Sequence, residues 1–305
     1  MTLERLAPRT THRRRLTHPA TLAASLLLLV STTSGAAMSR PAWQGAGAGI
    51  PECERENEWT VSAGAIATER SDSATLALRL NLPAFRLDVL SGAVVTRSYP
   101  VAVGERRYRT PIGSFEIVRL VWNPWWYPPD AEWAKDEKIT PPGPNNPMGK
   151  VKLLLRGTYY LHGTPVPASI GSAASHGCIR MHNEDAIALA RLVQSVSGAT
   201  ISPASTDSLV ARTRPTRVVD LPRPVPLEIV YVLAEVGDSA VVVHPDIYRR
   251  ASSMECEILT ALARAGHDTS VVDRQALRSI ARRRRVAADT VALGYLFSAA
   301  NSDSR

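Results

Sequence analysis

The chain is predicted to fold as a mainly β domain with one short helix, followed by a small helical C-terminal extension. Three observations carry this. Leucines at 76, 78, 80 and 82 alternate with Ala77, Arg79 and Asn81, and Phe85, Leu87 and Val89 continue the period of two after Pro83. Short apolar runs recur at Val101–Val103, Phe115–Val121, Val151–Leu155 and Tyr159–Leu161. Helical spacing is confined to 183–196 and to two segments after residue 254.

Taken in order, the chain opens with Arg9, Arg13, Arg14 and Arg15, an apolar run from Ala20 to Val30, then Ser34, Gly35, Ala36 and Ala37. Basic region, short apolar region and small-residue site make a secretory signal over 1–36. Eleven residues fall short of the about 20 that a spanning helix needs, so export is expected rather than an uncleaved anchor. No stable membrane span is expected once the leader is removed, and the location is periplasm or cell envelope. Residues 37–75, rich in Gly, Ala, Ser and Glu, read as an arm or linker. The net charge is +8. The leader carries five Arg and one Glu, and Arg282–Arg285 account for four more positive charges, so the remainder is nearly neutral. That argues against a nucleic-acid partner.

Ser91-Gly92 supplies a hairpin turn before Val94 and Val95. Trp122–Pro147, crowded with Trp122, Trp125, Trp126, Tyr127, Trp133 and prolines, reads either as an ordered loop over a site or as aromatics capping the core. Asn183–Val196 is the helix: Asn183 caps it, Glu184 and Asp185 occupy the first turn, and Ala186, Ala190, Val193 and Val196 form the stripe. A proline-rich connector, Pro203–Pro226, precedes a hairpin expected from Leu227, Ile229 and Tyr231 with Val241–Val243. Met254–Ala265 and Arg274–Arg285 read as terminal helices, the arginine run being a solvated face.

The chemistry is concentrated between His162 and Asn183. Cys178 is the candidate nucleophile, since a thiolate beside an imidazole suits acyl transfer. Two imidazoles compete to activate it: His176, two residues away, and His162, which the fold must bring in. Gly177 and Gly163 open the backbone to a developing oxyanion. Ser175 and Thr164 position an imidazole or contact substrate, and Arg180 suits a substrate carboxylate. A zinc site from His162, His176, Cys178 and His182 is the competing reading, although the spacing fits no common pattern. Of the three cysteines, Cys53 and Cys256 could pair and leave Cys178 free.

These residues resemble the catalytic domain of the L,D-transpeptidases, cysteine enzymes that cross-link bacterial peptidoglycan. Thr110-Pro111-Ile112-Gly113-Ser114-Phe115, Gly143–Gly149, His162-Gly163-Thr164 and Ser175-His176-Gly177-Cys178-Ile179-Arg180-Met181 follow the family's motifs in order. The resemblance implies a β-sandwich or barrel-like catalytic domain over 76–202, leaving 203–250 as connector and extra hairpin and 251–305 as the helical extension. It implies Cys178 as nucleophile and His162 as proton acceptor and donor, oriented by the Gly163 carbonyl. His176 would support the thiolate, Gly177 line the oxyanion region, and Arg180, Ser175 and Thr164 bind substrate. The implied donor is a peptidoglycan stem tetrapeptide, attacked at diaminopimelate to give a thioester and then a cross-link. Carbapenem acylation is implied too, with no metal or organic cofactor. Hydrolysis (an L,D-carboxypeptidase), D-amino-acid exchange and a non-catalytic wall-binding module are the alternatives.

Overall fold

A computed structural model describes residues 76–155 and 159–297, all within one compact unit, Gly47–Arg305. The leader, the arm and Cys53 lie outside the described residues. Nine strands form one mixed sheet: β1 (Leu76–Asn81), β2 (Arg86–Ser91), β3 (Val94–Gly104), β4 (Gly113–Trp122), β5 (Val151–Leu155), β6 (Tyr160–Thr164), β7 (Ala173–Ser175), β8 (Ile179–His182) and β9 (Arg217–Val230). Their order is β2-β1-β9-β4-β5-β6-β8-β3-β7, and β2 also pairs with β3, so the sheet curls back on itself. The pairs β1–β9, β6–β8 and β3–β7 are parallel. The inward residues of the alternating strands, among them Leu78, Leu80, Leu87, Val89, Ile117, Leu120, Leu153, Leu161 and Ile179, make the main core.

One strand departs from expectation. Prolines argue against a central strand because each removes a ladder donor, yet β9 runs between β1 and β4 and carries Pro222, Pro224 and Pro226. The register explains Pro222 and Pro224, while Pro226 stays paired with Glu116. Ile117 faces Val225 while Arg119 faces Asp220, so Leu221 to Pro224 form a wide bulge opposite a single residue of β4. The connector also holds a helix, α2 (Pro203–Ala211), begun by Ser202, whose side chain accepts from the Ser205 N–H.

α1 (Asn183–Val196) packs against β5, β6 and β8. Its buried stripe is Ala186, Leu189, Ala190 and Val193; Val196, expected in the stripe, is exposed. Asn183 does not cap the helix. Its Oδ1 accepts from the Lys150 N–H at 3.0 Å and its Nδ2 donates to the Thr164 carbonyl at 3.0 Å, bridging the segment before β5 to the end of β6.

The C-terminal segment is a small α/β layer rather than helices alone. β10 (Ala234–Val236), β11 (Ala240–Val243) and β12 (Asp289–Ala292) form an antiparallel sheet. α3 (Met254–Arg264), α4 (Arg274–Ala281) and α5 (Leu293–Leu296) share a second core with it, around Val241, Ile258, Leu262, Leu277 and Leu296. The expected hairpin is therefore split, Leu227 and Ile229 entering the large sheet and Val241–Val243 the small one. α4 stops at Ala281, short of the arginine run, because Arg285 turns back to donate to the Ile280 carbonyl and Arg283 pairs with Asp289 at 3.0 Å. Arg86 of β2 ties the layers together, meeting Glu235 through two bonds at 2.9 and 3.0 Å and Asp88 at 2.9 Å. Cys256 is disulfide-bonded and Cys178 is a free thiol.

Asn183→Ala should cost about 2 kcal/mol or more, because two partly buried backbone groups lose their partner at about 1–3 kcal/mol each. Asn183→Ser, a good cap that cannot span the gap, should not recover the loss. Urea denaturation checks this; a loss near 1 kcal/mol that serine restores would mean an ordinary cap instead.

Candidate active site

Strand alternation and the pairing of β6 with β8 build the site. Leu161 points into the core, so Tyr160, His162 and Thr164 face the other way. Ile179 and Met181 are likewise in the core, which turns Arg180 and His182 to the opposite face. The parallel register sets His162 against Arg180, and the antiparallel register on the other side sets Lys152 against His162. Cys178 lies one residue before β8, in phase with Arg180, and the Tyr160 backbone hydrogen-bonds its sulfur. Three adjacent strands thus bring Lys152, His162, Arg180 and Cys178 to one face.

The turn that presents Cys178 is held by its own neighbours. Ser175 Oγ donates to the Cys178 carbonyl and accepts from the Gly177 N–H at 3.2 Å. Thr110 Oγ1 donates to the Gly177 carbonyl at 2.9 Å. Gly177 has φ +106°, a region that side chains rarely enter, and a Cβ there would stand 3.1 Å from Tyr159 Cε1. Gly163 is glycine for a different reason from the open backbone expected of it. A Cβ on Gly163 would lie 2.1 Å from Asn183 Oδ1, the oxygen that reaches Lys150.

Two residues expected to contact substrate are otherwise engaged. Ser175 is 2% exposed and bonded within the turn, and Thr164 is 5% exposed with its hydroxyl accepting from the Val166 N–H at 3.2 Å. Both hydroxyls are thus already engaged with backbone groups of the site.

His162 Nδ1 lies 2.7 Å from the Gly163 carbonyl. In the neutral ring Nδ1 then carries the proton and Nε2 keeps its lone pair. Burial, reinforced by the charges of Arg180 and Lys152 and opposed by the Gly163 and Pro147 carbonyls, lowers the His162 pKa to about 4. Burial pushes the Cys178 thiol up from its ordinary value, against the Tyr160 backbone and the two cations, which pull it down. The resting pair is therefore a neutral thiol and a neutral imidazole, not the standing thiolate expected beside a histidine. The cations favour the sulfur anion and disfavour imidazolium, so they ease loss of the thiol proton and make the ring a weak holder of any proton it accepts.

His176 precedes Gly177 in the nucleophile turn. It is exposed, and its ring lies between Trp133, stacked at 3.9 Å and 6°, and Tyr108, tilted at 4.7 Å. Burial lowers its pKa as well, with Glu105 opposing. The stack joins the aromatic segment to the nucleophile turn. Both readings of that segment hold, for different rings. Trp122 is buried, with its Nε1 donating to Gln194 at 3.2 Å, and Trp126 is 8% exposed; these belong to the core side. Trp133 alone reaches the site residue. Asn146, fully buried, shapes the loop by donating Nδ2 to the carbonyls of Pro124, Thr140 and Pro141 at 2.9–3.0 Å.

Lys152 was not singled out from the sequence. It is a lone cation in an apolar strand, and its amine lies 4.5 Å from the Tyr160 ring centre. The signal existed in the alternation of Val151, Leu153 and Leu155, which turns Lys152 outward, but strand neighbours cannot be read from one strand. Among the described residues no three His, Cys, Asp or Glu side chains gather as metal ligands, and no helix is long and apolar enough to cross a membrane.

Residues 75–242 match the family model described as the YkuD L,D-transpeptidase catalytic domain. A Bacillus subtilis protein named as the L,D-transpeptidase YkuD is 38% identical over 109 residues, 35% of this chain and 54% of that protein. An Escherichia coli protein named as the L,D-transpeptidase YbiS is 37% identical over 94 residues, 28% of this chain and 31% of its own length. The chain thus spans about half the length of the first relative and a third of the second. Among solved structures, an L,D-transpeptidase from Mycobacterium smegmatis aligns over 52% of this chain and 59% of its own at 16% identity, TM-score 0.32. L,D-transpeptidase 3 from Mycobacterium tuberculosis aligns over 51% and 61% at 14% identity, TM-score 0.33. With a family match that covers more than half of the 305 residues and takes in the whole large sheet, the chain belongs to the YkuD family of L,D-transpeptidase catalytic domains.

Proposed function

We propose that the chain is an exported cysteine L,D-transpeptidase of the cell envelope that cross-links peptidoglycan stem tetrapeptides through a thioester. The observation that carries this reading is the single face on which a free thiol, a neutral histidine with its Nδ1 tied to Gly163, and two cations meet. The family membership sets the reaction class, and the leader read over 1–36 supports export.

The reaction runs as follows. As Cys178 Sγ attacks the diaminopimelate carbonyl of the donor stem, its proton passes to His162 Nε2, and the carbonyl electrons move to oxygen. The negative charge is opposed by Lys152, Arg180 and the backbone N–H groups of the nucleophile turn. The tetrahedral intermediate collapses, the bond to the terminal D-alanine breaks, and His162 gives its proton to the departing amine. A histidine with a pKa of about 4 parts readily with that proton. The amine of a second stem then attacks the thioester, His162 takes the amine proton, and the expelled thiolate recovers it. Arg180 suits the stem carboxylate, and Trp133 over His176 closes one side of the donor groove.

Incubation with a carbapenem should add one covalent adduct by intact mass, located at Cys178 and absent in Cys178→Ala. Purified muropeptides should yield dimers; trimmed or exchanged stems without dimers would make the enzyme a carboxypeptidase or an exchanger, and binding that survives Cys178→Ala with no turnover in the native protein would make it a wall-binding module.

The burial of Cys178 predicts that alkylation by iodoacetamide rises with pH to an inflection above the about 8.5 of an ordinary thiol. Thiolate accumulates only as pH rises through the raised pKa, so the rate is low below it. Lys152→Met should move the inflection higher still. An inflection near 6, the mark of a standing ion pair, would contradict this electrostatic account.

Trp133→Ala should raise KM for the donor about three- to tenfold, since a ring stack contributes about 0.5–1.5 kcal/mol, with kcat changed less. Steady-state kinetics decide it; an equal fall in kcat would place Trp133 in the chemical step.

A further inference from the structure

Tyr248 stands outside the segment matched to the family, which ends at residue 242, yet its hydroxyl lies under the nucleophile turn. It is 1% exposed and donates to the Gly104 carbonyl at 2.7 Å while accepting from the Thr110 N–H at 3.1 Å. Thr110, 2% exposed, passes the connection on: its Oγ1 accepts from the Gly104 N–H at 2.8 Å and donates to the Gly177 carbonyl at 2.9 Å. A continuous line of hydrogen bonds therefore runs from the C-terminal segment to the residue before Cys178.

Tyr248 is itself held firmly. Its N–H donates to the Tyr231 hydroxyl at 2.7 Å, and that hydroxyl donates to Asp246 Oδ1 at 2.6 Å. Asp246 also accepts from the N–H groups of Arg250 and Ala251 at 2.8 and 2.9 Å. The Tyr231 ring stacks on the Tyr248 ring at 5.6 Å, and the Arg109 guanidinium lies 5.6 Å over it on the loop that carries Thr110.

The consequence follows from the planarity of the peptide bond. In a trans peptide the C=O and the next N–H point in opposite directions. Anchoring the Gly177 carbonyl on Thr110 aims the Cys178 N–H away from Thr110, and that N–H belongs to the nucleophile residue itself. An oxyanion formed on an acyl group attacked by Sγ needs such a donor fixed in advance. We propose that Tyr248 is a positioning residue for acyl transfer, acting through Thr110 on the Gly177–Cys178 peptide, so that the C-terminal segment completes the site. This rests on the acyl-transfer reading above.

The test separates attack that builds an oxyanion from attack that does not. Acylation of Cys178 by a carbapenem and by a p-nitrophenyl ester passes through a tetrahedral oxyanion; alkylation by iodoacetamide is a displacement at carbon without one. Tyr248→Phe keeps the ring and deletes the hydroxyl. It should slow both acylations about tenfold or more, a part of the 10²–10³ that removal of an oxyanion donor costs, and change alkylation less than twofold. Thr110→Val should do the same, Thr110→Ser should restore the acylation rate, and the Tyr248→Phe, Thr110→Val pair should lose little more than either alone. Should Tyr248→Phe fail to fold, the two Thr110 variants give the same reading. Acylation and alkylation falling together, or neither changing, would overturn the proposal. If the native protein takes the ester but not the carbapenem, the transpeptidase reading fails while the ester still reports on Tyr248.

Discussion

The parallel pairing of β6 with β8 is the constraint on which the rest depends. Strands paired in parallel are not joined by a tight turn, and here the connection between them contains β7 and the nucleophile turn. The register places His162 beside Arg180, and the strand period places Cys178 and Arg180 on the same face. A slip of one residue would turn His162 into the core and Leu161 out of it. The core residues Leu161, Ile179 and Met181 forbid that slip, so hydrophobic packing is what holds the chemistry in register.

Burial then shapes the electrostatics. It opposes charge on Cys178 and on His162 alike, and Lys152 and Arg180 stand on the same face, where their charges favour the sulfur anion and disfavour imidazolium. A protonated His162 between two cations is a high-energy species, which suits the proposed role of taking a proton and giving it up within one turnover. A stable thiolate–imidazolium pair would hold the proton on the ring and slow its delivery to the leaving amine. The resting neutrality of the pair also limits oxidation of the only free cysteine among the described residues, because the thiolate is the reactive form.

Much of this was legible in the sequence where the signal is local. The chemistry of residues 162–183 singles out Cys178 but leaves His176 and His162 competing, a choice that only the family resemblance makes, and the spacing of α1 gives both of its ends. What sequence hides is what strands do to one another. The prolines of β9 read as a connector because a bulge between the Ile117 and Arg119 pairs is visible only in the pairing. Lys152 is an ordinary strand lysine until β5 is set beside β6. Asn183 satisfies the sequence rule for a cap, but two backbone groups from distant segments outbid the helix end for its amide. Ser175 and Thr164 carry hydroxyls of the right kind, and only burial shows that backbone has already claimed them.

The nucleophile turn is gripped from two sides, and the grips differ in kind. On the exposed side Trp133 stacks on His176, a contact between rings that can part and reform as a peptide enters. On the buried side Thr110 and Tyr248 hold Gly177 through directional hydrogen bonds between groups almost wholly out of water. Opening those would strand backbone donors and acceptors without partners, which is far more costly than separating a stack. The turn that presents Cys178 is therefore held more firmly on its buried side than on its exposed side. Tyr108 precedes Thr110 on the same loop and touches His176, so that loop contacts the turn on both sides. Under the proposed reaction, in which two stems enter in turn while one oxyanion donor is held steady, this division is an advantage.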